Sequence, residues 1–318
     1  METTKKTKRT ATERLLGNTD ERYFGEGFKY FNSKIVDFKA EDSKITGKIK
    51  CGYYGPQRPR DEAPHLGSIE YLSLALRIAS YGLNRLGRHK LQILNYSFLC
   101  QYTLTISTTL EMGTYPFTCR LLHSKWDDNC MQGRISTFEI NIGKNRIIIG
   151  VDHGGGGRII DLPSQETLPL DMENMHSLGY KHTELLIDNI KYRLAKKQIG
   201  CDIQYKQLTT EGTMQGIGSS RESLLSTDAT RVFGQLMQIL AYKLNKSDRI
   251  QCPNIWLRKM SLNLERQHFS GTTEGTLTFD QVREVKQGDK HWNLISLSGK
   301  VGNYEGKFEV AFQVTSDQ

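Results

Sequence analysis

The sequence predicts an α+β protein of two related halves, and three observations carry that expectation. Two long apolar helical patterns stand far apart in the chain. Each is followed by short segments rich in Ile, Thr, Tyr and Phe with turn residues between them, the mark of antiparallel strands. The two helices also superimpose at a constant shift of 158 residues, which places Glu70 on Asp228 and Arg77 on Gln235.

Length and composition fit that reading. At roughly 150 residues per domain, 318 residues divide into two packed units. The expected division is a disordered basic tail over 1–15, an N-terminal unit over 16–163 and a C-terminal unit over 164–318. The tail rests on charge: residues 1–14 carry five Lys or Arg against two Glu, which is three of the net +8. An apolar share of 37% and a charged share of 25% are globular values and argue against wider disorder.

Taken in order, the aromatic and Gly-rich stretch up to Tyr30 reads as a loop leading into a strand near Lys34–Phe38, with a second strand over Lys44–Tyr54. The Pro-rich run Gly55–Pro64 is an irregular loop. Ser68–Leu86 is the strongest helix. Ile69, Leu72, Leu76, Ala79, Leu83 and Leu86 recur at three- and four-residue steps, and Ser68 is the expected N-cap. Leu74, Ile78 and Tyr81 add a second stripe, and a helix apolar on most sides must be surrounded by protein. Strands are expected at Leu91–Leu99, Thr103–Leu110, Tyr115–Ser124, Gly133–Ile142 and Arg146–Val151, then a glycine-rich linker over Asp152–Pro163. The second half repeats the order: an entry segment Glu184–Lys206, a Gly/Ser loop, and a helix over Thr227–Leu244. Its strands are expected at Ile255–Arg266, Gly275–Val285, Trp292–Val301 and Gly306–Val314.

Burying a helix against an antiparallel sheet makes one sheet face core and leaves the other to solvent, which matches the alternation. A long helix wrapped by such a sheet is the hotdog arrangement. Two in one chain predict a double hotdog, with an α+β sandwich of two unrelated domains as the alternative.

Several function classes fall away. No stretch approaches 18 apolar residues and the start lacks the apolar core of a signal peptide, so no membrane partner is expected and the location is cytoplasmic. The six cysteines (51, 100, 119, 130, 201 and 252) form no CxxC pair and read as free thiols of a reducing compartment. His176, His182, His268 and His291 have no metal-ligand spacing, and no metal is expected. Helix-turn-helix, zinc-finger and basic–aromatic signatures are lacking, so nucleic acid is not the expected partner. The glycine run from Gly154 to Gly157 lacks a phosphate-loop ending and reads as a link between repeats.

Two segments carry a family resemblance. The stretch LLGNTDERYFGEGFK, ending at Lys29, resembles the opening of the AvrD family, the avirulence D proteins. The context HLGSIEYLSLALRIASYGL, starting at His65, is similar to the central helix of hotdog proteins, in particular polyketide dehydratases and AfsA-type butenolide synthases. The resemblance implies a double-hotdog enzyme that acts on an acyl thioester. For AvrD proteins it implies joining a β-ketoacyl group to a sugar such as xylulose, giving a syringolide-like acyl glycoside. The substrate would arrive on CoA or on an acyl carrier protein, with no separate cofactor. Polyketide dehydratases place a catalytic His in HxxxGxxxxP before the helix, and Tyr54–Pro64 (YGPQRPRDEAP) has none. His65–Gly67 lies nearer the AfsA pattern, although its spacing to Glu70 is shorter than in that family. A dehydratase, a thioesterase or a non-catalytic acyl-binding protein are the alternatives.

Site candidates follow from where helix termini fall. Helix N-terminal amides carry partial positive charge and can hold a thioester carbonyl. His65 stands just before one such terminus as a general base, and Asp228 stands in the first turn of the other as an acid. The resemblance to dehydratases, which place a catalytic acid at the position of Asp228 and a Gln at the distance of Gln235, implies that Gln235 orients Asp228 or a substrate oxygen, and Arg231 would bind a phosphate or carboxylate. Glu70 and Arg77 are the corresponding pair of the first helix, a substrate contact or a structural ion pair. Arg58, Arg60, Asp61 and Glu62 can rim a pocket, and Tyr23, Phe24, Phe28 and Lys29 are expected to pack against the sheet. Both halves lie in one chain, so a monomer is complete, and an exposed sheet edge allows a homodimer.

Overall fold

Among the described residues, twelve segments of alternating polarity pair into one antiparallel sheet, and two apolar helices lie against its inner face. The computed structural model describes residues 10–314 except 57–62, 88, 90, 129–131, 155–167, 171–173, 209–213, 220–222, 249–254, 265–270 and 289. In chain order the first half comprises α1 (Ala11–Leu16), β1 (Phe31–Glu41), β2 (Lys44–Tyr53), α2 (Ser68–Arg85), α3 (Leu91–Tyr96), β3 (Phe98–Thr105), β4 (Gly113–Trp126), β5 (Arg134–Ile142) and β6 (Asn145–Asp152). The second half comprises β7 (Thr183–Arg193), β8 (Gln198–Gln207), α4 (Ser226–Leu244), β9 (Ile255–Leu264), β10 (Thr272–Gln287), β11 (Lys290–Val301) and β12 (Tyr304–Val314).

The strand order is β1-β2-β4-β5-β6-β3-β9-β12-β11-β10-β8-β7. Read from either edge inward, the two halves list corresponding strands in the same sequence, and they meet at the β3–β9 pair. At that seam Thr103 faces Ser261, 158 residues further on, with their hydroxyls 3.4 Å apart. The same shift carries Ser68, the first residue of α2, onto Ser226, the first residue of α4. It also carries the bulge of β4 between Leu121 and His123 onto the bulge of β10 between Phe279 and Gln281. A bulge bends its strand and is kept where the sheet must curve. Two bulges at one shift, on top of two helices, establish the duplication in backbone geometry. The fold is a double hotdog.

Inward residues recur at period two. Phe117 and Cys119 on β4, Ile147, Ile149 and Val151 on β6, and Phe308, Val310 and Phe312 on β12 are all buried in one core. Every residue of α2 from Ser68 to Asn84 is buried, as the apolar stripes on two sides require. Burying each Leu or Ile side chain there contributes roughly 1.5–3 kcal/mol.

Part of that cover comes from the opposite half. Residues 22–31 and 174–183 adopt the same turn at a shift of 152: Phe28 N donates to Tyr23 O and Tyr180 N to Met175 O. The first segment lies on α4, where Gln235 donates to Phe24 O at 3.0 Å. The stretch leading to the second lies on α2, where Arg77 donates to Leu170 O at 2.9 Å and Tyr81 to Pro169 O at 3.2 Å. Each half therefore straps the other's helix.

Four expectations are corrected. Residues 11–15 are not tail: a Thr10–Glu13 capping box starts α1, and Leu16 is buried where α1 packs on β7 and α4. Leu91–Leu99 is not one strand but α3 followed by β3, which ends at Thr105; a short apolar run reads as either element until packing decides. Gly67 rather than Ser68 is the N-cap of α2. The start of the expected linker is buried: Asp152 accepts from Gln132 N, and His153 bonds Ser136 Oγ at 2.7 Å, so both close the end of β6. Gly155–Pro163, and with it the expected boundary between units, lies outside the described residues, as do Arg58, Arg60, Asp61 and Glu62.

Candidate active site

Between the N-terminus of α2 and the flank of α4 lies a cavity of about 170 Å³. One end is polar, formed by Tyr23, His65, Gly67 and Ser68. The rest of the wall is mostly apolar, with Phe233 and Met237 from α4, Met260 from β9, Leu297 from β11, and Phe308 and Val310 from β12, interrupted by Thr109 and by Thr230 and Gln238 of α4. The apolar walls follow from strand alternation, which turns Phe308 and Val310 inward together. An engineered apolar cavity of about 150 Å³ holds a benzene ring, so this space accepts part of a hydrocarbon chain.

His65 stands where it was expected, ahead of α2, and its ring stacks on Trp256 with centroids 5.4 Å apart. Its strand-like bridge to Glu111 fixes the backbone at that point. Glu70 lies in the first turn of α2, and its carboxylate accepts from Gly67 N at 2.9 Å. The same carboxylate oxygen takes the hydroxyl of Tyr23, and the Tyr23 oxygen accepts from Ile69 N at 2.9 Å. Two of the first amides of the helix are thus already engaged. The Ile69 amide at the positive end of α2 acts on the cavity through the Tyr23 hydroxyl. A Cβ on Gly67 would overlap that hydroxyl, so a residue without a side chain is required at the cap. Lys181 lies near Glu70 and donates to Phe31 O. Burial lowers the proton affinity of Lys181, and Glu70 raises it part of the way back.

Asp228 is in a different place from the one expected of a catalytic acid. It is 1% exposed, absent from the cavity wall, and turned toward Thr183 and Arg231, which donate to its Oδ1 at 2.8 and 3.1 Å. Burial pushes its carboxyl up from the ordinary value, and Arg231 acts against that. Arg231 binds no open anion site: it also donates to Gly25 O at 3.1 Å, pairs with Glu26 at 3.3 Å and covers the Phe28 ring at 4.7 Å. Gln235 accepts from Arg22 at 2.9 Å instead of orienting Asp228. Arg77 donates to the carbonyls of Ser33 and Leu170 rather than pairing with Glu70. Asp228, Arg231 and Gln235 together clamp residues 22–28 onto α4, and that segment presents Tyr23 and Phe24 to the cavity.

Sequence reasoning missed Tyr23 and Phe24 as wall residues. A signal was available in Gly67, because a glycine capping a long buried helix implies a bulky neighbour seated at the terminus. Phe24 gives the same lesson, with its ring packed where a Cβ on Gly234 would come within 2.6 Å. Among the described residues no three His, Cys, Asp or Glu side chains group as metal ligands, and no helix is long and apolar enough to cross a membrane.

Fold and cavity define a double-hotdog protein with a half-apolar pocket at the junction of its two halves. The model of the Pseudomonas avirulence D protein (AvrD) family matches residues 8–314, and the chain belongs to that family. No curated protein matches the sequence. Similar solved structures include a putative thioesterase from Novosphingobium aromaticivorans, at 10% identity and TM-score 0.43, covering 89% of this chain and 98% of that one. Another is a protein of unknown function with a hot dog fold from Alicyclobacillus acidocaldarius, at 6% identity and TM-score 0.43, covering 93% and 99%. A third is GphF dehydratase 1, at 14% identity and TM-score 0.40, covering 89% and 98%.

Proposed function

We propose that the protein is a biosynthetic enzyme acting on an acyl thioester, and that it joins a β-ketoacyl group to a small sugar such as xylulose. The observation that carries the reading is the cavity: apolar side chains from α4, β9, β11 and β12 line it together with Tyr23 and His65 beside the α2 terminus. An acyl tail would lie along Phe233, Met237 and Phe308, with its carbonyl end toward Tyr23 and His65. His65 serves as a general base at the polar end. The thioester, on CoA or an acyl carrier protein, is the substrate, no further cofactor is involved, and the setting is the cytoplasm. One chain supplies both halves of the site, so it works as a monomer or as either copy of a homodimer.

The test is incubation of the purified protein with 3-oxoacyl-CoA thioesters, with and without xylulose, followed by mass spectrometry. A new acyl–sugar mass that depends on both substrates and falls away in His65→Ala supports the reading. Free CoA without an acyl–sugar product would make the protein a thioesterase. Intact thioester that binds without turnover would leave an acyl-binding protein.

A further inference from the structure

We propose that Tyr23, backed by Glu70, is a second acid–base residue of this cavity, serving the acyl transfer itself while His65 acts as base toward the acidic α-carbon of the substrate; the inference rests on the acyl-thioester reading above. The phenol stands over Gly67, itself part of the cavity wall. It is held from two sides, by the amide of Ile69 donating to its oxygen and by Glu70 accepting its proton. That arrangement passes a proton without isolating a charge on the ring. As the phenol oxygen takes the proton of a sugar hydroxyl, whose oxygen forms the new C–O bond to the thioester carbonyl carbon, its own proton moves to Glu70, and the phenol ends neutral. The substrate has lost one proton and Glu70 has gained one. On the return, the tetrahedral adduct collapses, the C–S bond breaks and the acyl group stays on the sugar oxygen; Glu70 gives its proton to the phenol while the phenol protonates the departing thiolate, and both residues are restored. The amide of Ile69, at the positive end of an 18-residue helix, stabilises the partial negative charge on the phenol oxygen while a proton is in transit.

The duplication provides an internal comparison. In the second half the place of Tyr23 is taken by Met175 and that of Gly67 by Leu225. These two side chains pack into one apolar cluster. Asp228, the counterpart of Glu70, is committed to Thr183 and Arg231. The machinery for proton transfer therefore exists at the α2 terminus and has been replaced by packing at the α4 terminus. Glycine at the α2 cap, where α4 has leucine, makes the room that Tyr23 needs.

The experiment compares wild type with Tyr23→Phe, Glu70→Gln and Gly67→Ala, each as the full chain. Turnover of 3-oxoacyl-CoA with xylulose is measured beside the binding of a non-hydrolysable acyl-CoA thioether. Tyr23→Phe keeps the ring and removes only the hydroxyl. The expected result is turnover reduced about 10²- to 10⁴-fold with thioether affinity within about threefold of wild type. Glu70→Gln should lower turnover alongside it. Gly67→Ala, which displaces the phenol without removing it, should do the same. Turnover retained in Tyr23→Phe while the wild type is active would overturn the assignment and leave the acyl-thioester reading standing. A wild type that turns over no thioester would remove that reading and this assignment with it. If Tyr23→Phe proves unstable, full activity in Glu70→Gln and Gly67→Ala overturns the proposal by itself.

Discussion

Replacing Arg231 with Met separates a structural clamp from a catalytic site. Arg231 is 2% exposed and Asp228 1%, so the substitution leaves a buried carboxylate with no cation beside it. It also removes the donors to Thr183 Oγ1 and Gly25 O, both at 3.1 Å, and the cover on Phe28. Breaking a buried pair by removing one partner costs about 3–5 kcal/mol, about a fifth or more of a typical domain's stability of about 5–15 kcal/mol. With a urea dependence near 3 kcal/mol per M, the unfolding midpoint should fall by roughly 1–2 M. Changing both partners, Asp228→Leu with Arg231→Met, strands neither charge and should recover much of the loss. The assay is urea unfolding followed by circular dichroism and tryptophan fluorescence. A midpoint lowered by less than about 0.3 M, the equivalent of about 1 kcal/mol at that dependence, would refute the clamp. So would an Asp228→Asn variant that loses turnover at an unchanged midpoint.

Four further outcomes are expected. Gly234→Ala sets a methyl against the Phe24 ring, where the nearest approach would be 2.6 Å, and should destabilise by about 1–3 kcal/mol in the same unfolding assay. Met237→Trp fills the apolar end of the cavity, so the KM for the thioester should rise at least about tenfold, a cost of about 1.4 kcal/mol in binding; an unchanged KM would place the acyl chain elsewhere. Burial holds His176 near pKa 4, below its ordinary 6.5, so the unfolded chain takes up the proton first as pH falls. Stability present above pH 6.5 is then lost between 6.5 and 4, by up to about 1.4 kcal/mol per pH unit; unfolding midpoints that stay flat from pH 7 to 5 would contradict this. Residues 10–154 expressed alone lack the strap at Leu168–Leu170 over α2 and should be insoluble, whereas co-expression with residues 168–314 should give a complex that co-purifies.

The helices, most of the strands and their duplication were legible in the order of residues alone. Those features depend on local periodicity: Ile69, Leu72 and Leu76 mark a helix, and the inward Phe308, Val310 and Phe312 mark a strand, whatever they later pack against. The shift of 158 residues was legible because the repeat kept the apolar stripe of α2 in α4. The fate of Leu91–Leu99 was not legible, because nine apolar-rich residues satisfy either period. The site divided in the same way. His65 and Glu70 could be placed at a helix terminus from sequence, since a terminus is a local feature. An acidic residue in a first turn favours the helix dipole wherever it sits, so sequence could not tell Glu70, which faces the cavity phenol, from Asp228, which is locked to Arg231. Tyr23 reaches Glu70 across 47 residues and Arg231 reaches Gly25 across 206. Those contacts are set by folding in three dimensions, because they exist once each half has laid its strap across the other's helix.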